Sequence, residues 1–361
     1  MNDTVIREKP LPVLPLYRDH LFLIVLMAAL SIRLIWMLVG PEVMEGEGTL
    51  YTRTAENLLR GRGFESQYGG PQTMYTLLFS LLIAVSKLIF IDSDIAARMV
   101  GVITGSALVI PVFCMARTIW GRPAAIASGV LIAVNPLLIG YSVAVYTEMT
   151  YILFVMSGAY FGLRALELGS IRYPLLAGIT FALAYLTRPE GIVFLGIAAG
   201  AVLVATWMRG VAWRTGIFHA TLLLVAGLLV ASPYIAYLYK NTGEVRLEGK
   251  NLINYTIIRR METGMPYLEA AYGIDVQLDE VGPLLVPRRY AAFTPYPASA
   301  REVLGRIPEH LKTNIGTFLQ RVLPSYELGS PILLLLVVIG FFRSAWNRMR
   351  LEGELFLLAV A

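Results

Sequence analysis

The chain has one cysteine, Cys114, and three histidines, His20, His219 and His310. A single thiol inside an apolar run excludes an internal disulfide and a thiolate metal site. The histidines are too far apart in sequence for ligand spacing, so no metal centre is expected. Charge is scarce as well: Asp, Glu, Lys and Arg make up 15% of 361 residues. Together with 57% hydrophobic residues and a mean hydropathy of +0.65, that excludes a soluble domain. The formal charge of +5 is modest and its basic residues sit in short loops. It therefore reads as membrane topology, with no nucleic-acid partner. A sustained internal repeat is missing too, which argues against an inverted-repeat transporter. The first apolar run, from Leu21, is too long for a cleavable signal and lacks a small-residue cleavage site.

Apolar runs of spanning length are abundant, and they predict an all-α polytopic membrane protein. Residues 1–20 form a polar tail, expected to be cytoplasmic, and the first span covers Leu21 to Gly40. Arg33 lies inside that span, so it should face a polar cavity or snorkel to the surface. Further spans are expected at 94–118, 123–145, 149–168, 173–188, 191–208, 214–239 and 331–346. Pro111, Pro136 and Pro233 should kink the spans that hold them. Gly101–Gly105 and Gly196–Gly200 should allow close helix contact. Residues 240–330 are too long for an idle connection and predict an external cap. Within it, Arg301 to Leu319 can hold an amphipathic helix interrupted by Pro308. The closing run, 355–361, is too short to span and reads as a truncation of the C-terminal region 331–361.

The segment Met74 to Ile91 decides the topology. If it lies along the interface, the arginine loops 117–122, 164–172, 209–214 and 343–350 all fall inside. It carries Thr76, Ser80, Ser86 and Lys87, which weakens it as a span, so it reads as a juxtamembrane helix. Upstream, Glu45 and Glu47 sit where the first span leaves the membrane, and an acid at that depth is a functional candidate. A short amphipathic helix should follow, with Leu50, Ala55, Leu58 and Leu59 on one face and Arg53, Glu56 and Arg60 on the other.

With this topology three polar sites meet the outer face: Glu45/Glu47, then Glu148, then Arg188 with Glu190. Two carboxylates from different loops plus an arginine suit group transfer from a phosphate-linked donor. One carboxylate accepts the acceptor's proton, and the planar guanidinium holds the phosphate leaving group.

The string Glu47, Tyr51, Ala55, Leu58-Leu59, Gly61, Gly63-Phe64 resembles the first external loop of GT-C fold glycosyltransferases. The nearest likeness is the family 39-like group, which includes protein O-mannosyltransferases and the lipid A aminoarabinose transferase. Pro71 to Tyr75, Ala97-Arg98-Met99, the Asn135-Pro136 string ending at Glu148, and Leu186-Thr187-Arg188-Pro189-Glu190-Gly191 are similar too. The likeness covers residues 15–240 and implies a GT-C catalytic module over 21–239, with 41–93 as its first external loop. It implies a polyprenyl-phosphate sugar donor, a glycan, lipid or protein acceptor, and an inverting transfer. The site would face outside a cytoplasmic membrane, among membrane lipids, in cell-envelope glycosylation. Glu47 and Glu148 would be catalytic, with Tyr51, Tyr75, Arg98, Arg188, Glu190, Glu45 and Arg33 binding substrate. No divalent metal or other cofactor is implied beyond the lipid-linked sugar phosphate. Where the family has an Asp-Glu pair this chain has Glu47-Gly48, which leaves the base between Glu47 and Glu45. Spacing to Tyr51 favours Glu47. The rival expectations are a flippase of lipid-linked sugar, or an impaired homologue that binds it without turnover.

Overall fold

The computed structural model of the chain describes residues 16–40, 44, 46–66, 70–166, 170–272, 274–279, 282–287, 300–317, 350, 351, 353 and 354. Glu45, the 331–346 span and the 355–361 run lie outside them. In chain order come α1 (His20–Val39), α2 (Gly46–Leu59), α3 (Leu77–Lys87), α4 (Ser93–Ala107), α5 (Val109–Trp120), α6 (Arg122–Val134) and α7 (Pro136–Val143). Then follow α8 (Glu148–Ala165), α9 (Arg172–Thr187), α10 (Gly191–Met208), α11 (Trp213–Thr242), α12 (Lys250–Glu262) and α13 (Tyr267–Tyr272). An antiparallel hairpin of β1 (Ile274–Asp279) and β2 (Gly282–Pro287) precedes α14 (Ala300–Thr317), with Ile274 opposite Pro287.

The fold is helical, and among the described residues four helices are long and apolar enough to cross a membrane: α1, the α4–α5 unit, α10 and α11. The α6–α7 pair, bent by 52°, makes a fifth if it is one span. This is an integral membrane protein. Helices α8 and α9 stand where spans were expected, but α9 has 16 residues. At 1.5 Å per residue that is about 24 Å, short of a hydrocarbon core of about 30 Å. Helix α3, with 11 residues, reaches only about 16 Å and is too short to cross.

The prolines explain the breaks. Pro111 has no N–H for the Ala107 carbonyl, and α4 ends at Ala107. Pro136 likewise leaves Ile132 without its helical partner, and the chain turns at Asn135, whose side chain caps α7 through Leu138 N at 3.1 Å. Arg33 fills that gap. Its Nη2 donates to Ile132 O at 3.0 Å and its Nη1 to Ala133 O at 3.4 Å, while Nε reaches Ser142 Oγ at 2.9 Å. The expectation of a cavity-facing or snorkelling Arg33 is thus corrected: it is fully buried and satisfies the carbonyls of a broken helix. Two other prolines stay inside helices. At Pro233 the orphaned Leu229 carbonyl accepts from Ser232 Oγ at 2.9 Å, and α11 continues. Helix α14 also runs through the exposed Pro308, where water can meet the missing bond, so it is not interrupted there as expected.

Packing follows small residues. A Cβ on Gly101 would lie 2.4 Å from Ser142 O, so α4 and α7 touch through backbone. Gly196 and Gly200 have nothing within 4 Å and hold no such contact among the described residues. In α2 the expected apolar face is buried in part: Ala55 is buried and Leu50 packs beside it, but the buried face also takes in other residues. Gly48, Tyr51, Thr52 and Ala55 are buried, whereas Leu59 is exposed. The threonines can be buried because their hydroxyls bond back to the helix: Thr52 to Gly48 O at 3.1 Å and Thr54 to Leu50 O at 2.8 Å. Tyr51 and Ala55 then pack with Phe79 and Ile83 of α3.

Candidate active site

Helix α2 brings Glu47 into its first turn, where a negative charge suits the helix dipole. One of its oxygens, Oε1, accepts from Lys250 Nζ at 3.1 Å and from Tyr75 Oη at 3.5 Å. Lys250 also lies over the Tyr75 ring, 5.3 Å from its centroid. Beneath them Tyr51 sets its ring edgewise to Tyr75 at 5.0 Å and to Phe79 at 5.1 Å.

The second half comes from α8 and α9. Glu148 opens α8 and Arg188 caps the end of α9, and Arg188 Nη1 donates to Glu148 Oε1 at 2.6 Å. Arg188 Nε stands 3.7 Å from Glu190 Oε2, and its guanidinium lies 5.7 Å above the Tyr151 ring. Glu148 Oε2 is buried with no hydrogen-bond partner among the described residues.

Tyr51 joins the halves. Burial pushes its phenol well above the usual range, with the Glu47 and Glu148 charges and Tyr75 adding to the rise and Arg188 opposing it. The hydroxyl therefore stays protonated at neutral pH, in the electrostatic reach of both carboxylates and the arginine.

Side-chain bonds to backbone fix this geometry. Thr76 Oγ1 donates to Thr187 O at 2.6 Å, tying α3 to the residue before Arg188. Tyr237 Oη donates to Phe64 O at 2.8 Å and Tyr185 Oη to Leu247 O at 2.6 Å. Gly249 packs so tightly on the Thr73 carbonyl that a Cβ would lie 2.0 Å from it. The chain entering α12 is thereby pressed onto the start of α3, and Lys250 onto Glu47.

The structure thus gathers Glu47, Tyr51, Tyr75, Glu148, Arg188 and Glu190. Glu45 lies outside the described residues. Arg98, buried in α4, forms an ion pair with Asp94 one turn back at 2.7 Å. Arg33 is spent on Ile132, Ala133, Ala29 and Ser142, none of them a site residue. Sequence reasoning missed Lys250, which lies 203 positions from Glu47. The available signal was the polar stretch Glu244 to Lys250 straight after the last apolar helix. Among the described residues no group of three or more His, Cys, Asp or Glu could hold a metal ion.

Residues 75–237 match the family described as dolichyl-phosphate-mannose-protein mannosyltransferase, a stretch that includes Tyr75, Glu148 and Arg188 but not Glu47 or Lys250. No curated protein matches. Among solved structures, the apo oligosaccharyltransferase of Archaeoglobus fulgidus is similar with a TM-score of 0.54 and 15% identity. That match covers 95% of this chain and 39% of the archaeal one. The same organism's oligosaccharyltransferase AglB, in complex with an inhibitory peptide and a dolichol-phosphate, gives a TM-score of 0.52 at 16% identity, covering 92% of this chain and 41% of that one. The chain thus spans about two-fifths of the length of these relatives, and at such identity the likeness shows the fold. The chain is a helical membrane protein of the GT-C fold, and its residues 75–237 are similar to the family described as dolichyl-phosphate-mannose-protein mannosyltransferase.

Proposed function

We propose that the chain is a glycosyltransferase. In this reading it moves a sugar from a polyprenyl-phosphate donor to an acceptor on the extracytoplasmic face, inverting the anomeric centre. The observation that carries the reading is that Glu47, bonded to Tyr75, and the Arg188–Glu148 pair are held in one structure by the Thr76 bond to the Thr187 carbonyl, with the charges of both acting on the Tyr51 phenol. Glu47 takes the acceptor's proton as the new bond to the sugar forms. Arg188 offers its fork to the phosphate that leaves: a guanidinium has five N–H donors, and those at Nη1 and Nε face Glu148 and Glu190. Glu148 keeps that fork in place, and its second oxygen can accept from a substrate hydroxyl.

Orientation follows from helix direction. Helices α8 and α9 carry Glu148 and Arg188 at one end and Arg164 and Arg172 at the other. Helix α1 leads to the site from Asp19, which is paired with Arg122 at 3.0 Å. The arginine loops therefore lie opposite the site, and the positive-inside rule puts the site outside. Helices α2 and α3 then lie along the interface, with Leu59 and Val85 turned outward. The dolichol-phosphate bound by the archaeal relative supports a lipid phosphate as the donor's carrier.

The test is turnover of a polyprenyl-phosphate sugar by the purified chain in lipid. Release of polyprenyl phosphate, with the sugar on an acceptor, is the expected result. Donor that crosses the bilayer or stays bound without cleavage would replace this reading by a flippase or an impaired homologue.

A further inference from the structure

Glu47, Glu148 and Glu190 bring three carboxylates to the site, and the cations paired with them are Arg188 and Lys250. An incoming phosphodiester therefore meets a paired set with an excess of negative charge. Arg188 already faces two of the carboxylates, whereas Lys250 faces one. The backbone before Lys250 is held by Gly249 against Thr73 and by Tyr185 at Leu247. Beyond that anchor, its ammonium sits on a flexible four-carbon stem, partly exposed, over the face of Tyr75.

This arrangement has a chemical consequence for the base. With the ammonium 3.1 Å from its Oε1, the Glu47 carboxylate is held in an ion pair, and that oxygen is already engaged by Lys250. We propose that Lys250 is a counter-ion shared between Glu47 and the donor phosphate, so that donor binding draws the ammonium off the carboxylate and frees the base. The inference rests on the donor and base assigned under the proposed function. Once the phosphate holds Lys250, Glu47 keeps, among the described residues, the Tyr75 hydroxyl at 3.5 Å. The acceptor O–H then gives its proton to Glu47 while its oxygen bonds to the anomeric carbon. The bond from that carbon to the phosphate oxygen breaks, and its electron pair stays on the polyprenyl phosphate. That leaving dianion faces both Lys250 and Arg188. When it departs, Lys250 returns to Glu47 and the proton passes to water. An acceptor arriving without donor meets a masked base, so the device orders the two substrates.

The experiment measures equilibrium binding of polyprenyl phosphate, which carries no sugar and undergoes no chemistry, to the full chain in lipid nanodiscs. Lys250→Met should weaken binding about ten- to a hundredfold, the worth of one charge-assisted hydrogen bond. Glu47→Gln should do the opposite and tighten binding by at least about fivefold, because it releases Lys250. In the double variant that tightening should vanish. Lys250→Arg, which keeps the charge, should bind close to wild type, and uncharged polyprenol should bind all variants alike. These two controls separate lost charge from lost folding. If Glu47→Gln leaves the affinity unchanged, or tightens it equally with Met at 250, Lys250 is not shared and the inference is overturned. Wild-type chain that binds no polyprenyl phosphate at all would overturn the donor reading as well.

Discussion

At the scale of residues, Arg188 carries the clearest division of labour. Lysine would keep the charge but not the planar fork that holds Glu148 and, in the proposed function, takes the phosphate. Arg188→Lys should therefore weaken donor use, and Arg188→Ala should weaken it further, read as kcat/KM for the lipid-linked sugar. Wild-type values in both would make Arg188 an interfacial anchor. Glu47, Glu148 and Arg188 were legible in the sequence because each stands at the end of an apolar run, where a charge has few structural uses. Lys250 was not, since nothing local marks a lysine whose partner lies 203 positions away. Arg33 was misread for the complementary reason. A charge inside a span is visible in sequence, but the carbonyls orphaned by Pro136 on another helix are not.

At the scale of elements, the bend between α6 and α7 is where sequence and geometry meet most directly. The missing N–H of Pro136 opens the helix, Asn135 caps the new start, and Arg33 closes the exposed carbonyls from α1. Arg33→Met should lower thermal stability in detergent, at on the order of 1–3 kcal/mol for each buried carbonyl left without a donor. A variant that melts like wild type yet binds donor poorly would return Arg33 to a substrate-binding role. The position of α2 was foreseen, but only part of its buried face, Ala55 and Leu50, was. Counting leucines ignores that Thr52 and Thr54 satisfy their own hydroxyls, and that Tyr51 finds aromatic partners on α3. Periodicity and hydropathy placed α8 and α9, and the expected span 173–188 already had the 16 residues that α9 has.

For the whole molecule, the arrangement of charge predicts which end faces out. Asp92 caps α4 beside the first loop, where Ser93 Oγ donates to Glu56 at 2.8 Å, and Trp120 closes α5 among the arginines at the far end. After replacement of Cys114, a cysteine introduced at position 92 should label from outside and one at 120 should not. The reverse pattern would invert the topology. The helical GT-C bundle was legible because long apolar runs leave few other folds in a membrane. The layout of the segment after α11 was not, because its polar sequence lacks a sustained period.

The central claim is that Glu47 is the general base of a sugar transfer, and single-turnover transfer from a purified polyprenyl-phosphate sugar tests it most directly. Glu47→Gln keeps size and hydrogen bonding but cannot take the proton, so it should lose about 10²–10⁴-fold in rate while still binding donor. Glu47→Asp, which keeps a carboxylate one methylene shorter, should retain measurable transfer. Transfer by Glu47→Gln at the wild-type rate, with Glu45→Gln inactive, would move the base by two residues. Wild-type rates in both variants would contradict the catalytic reading of this loop.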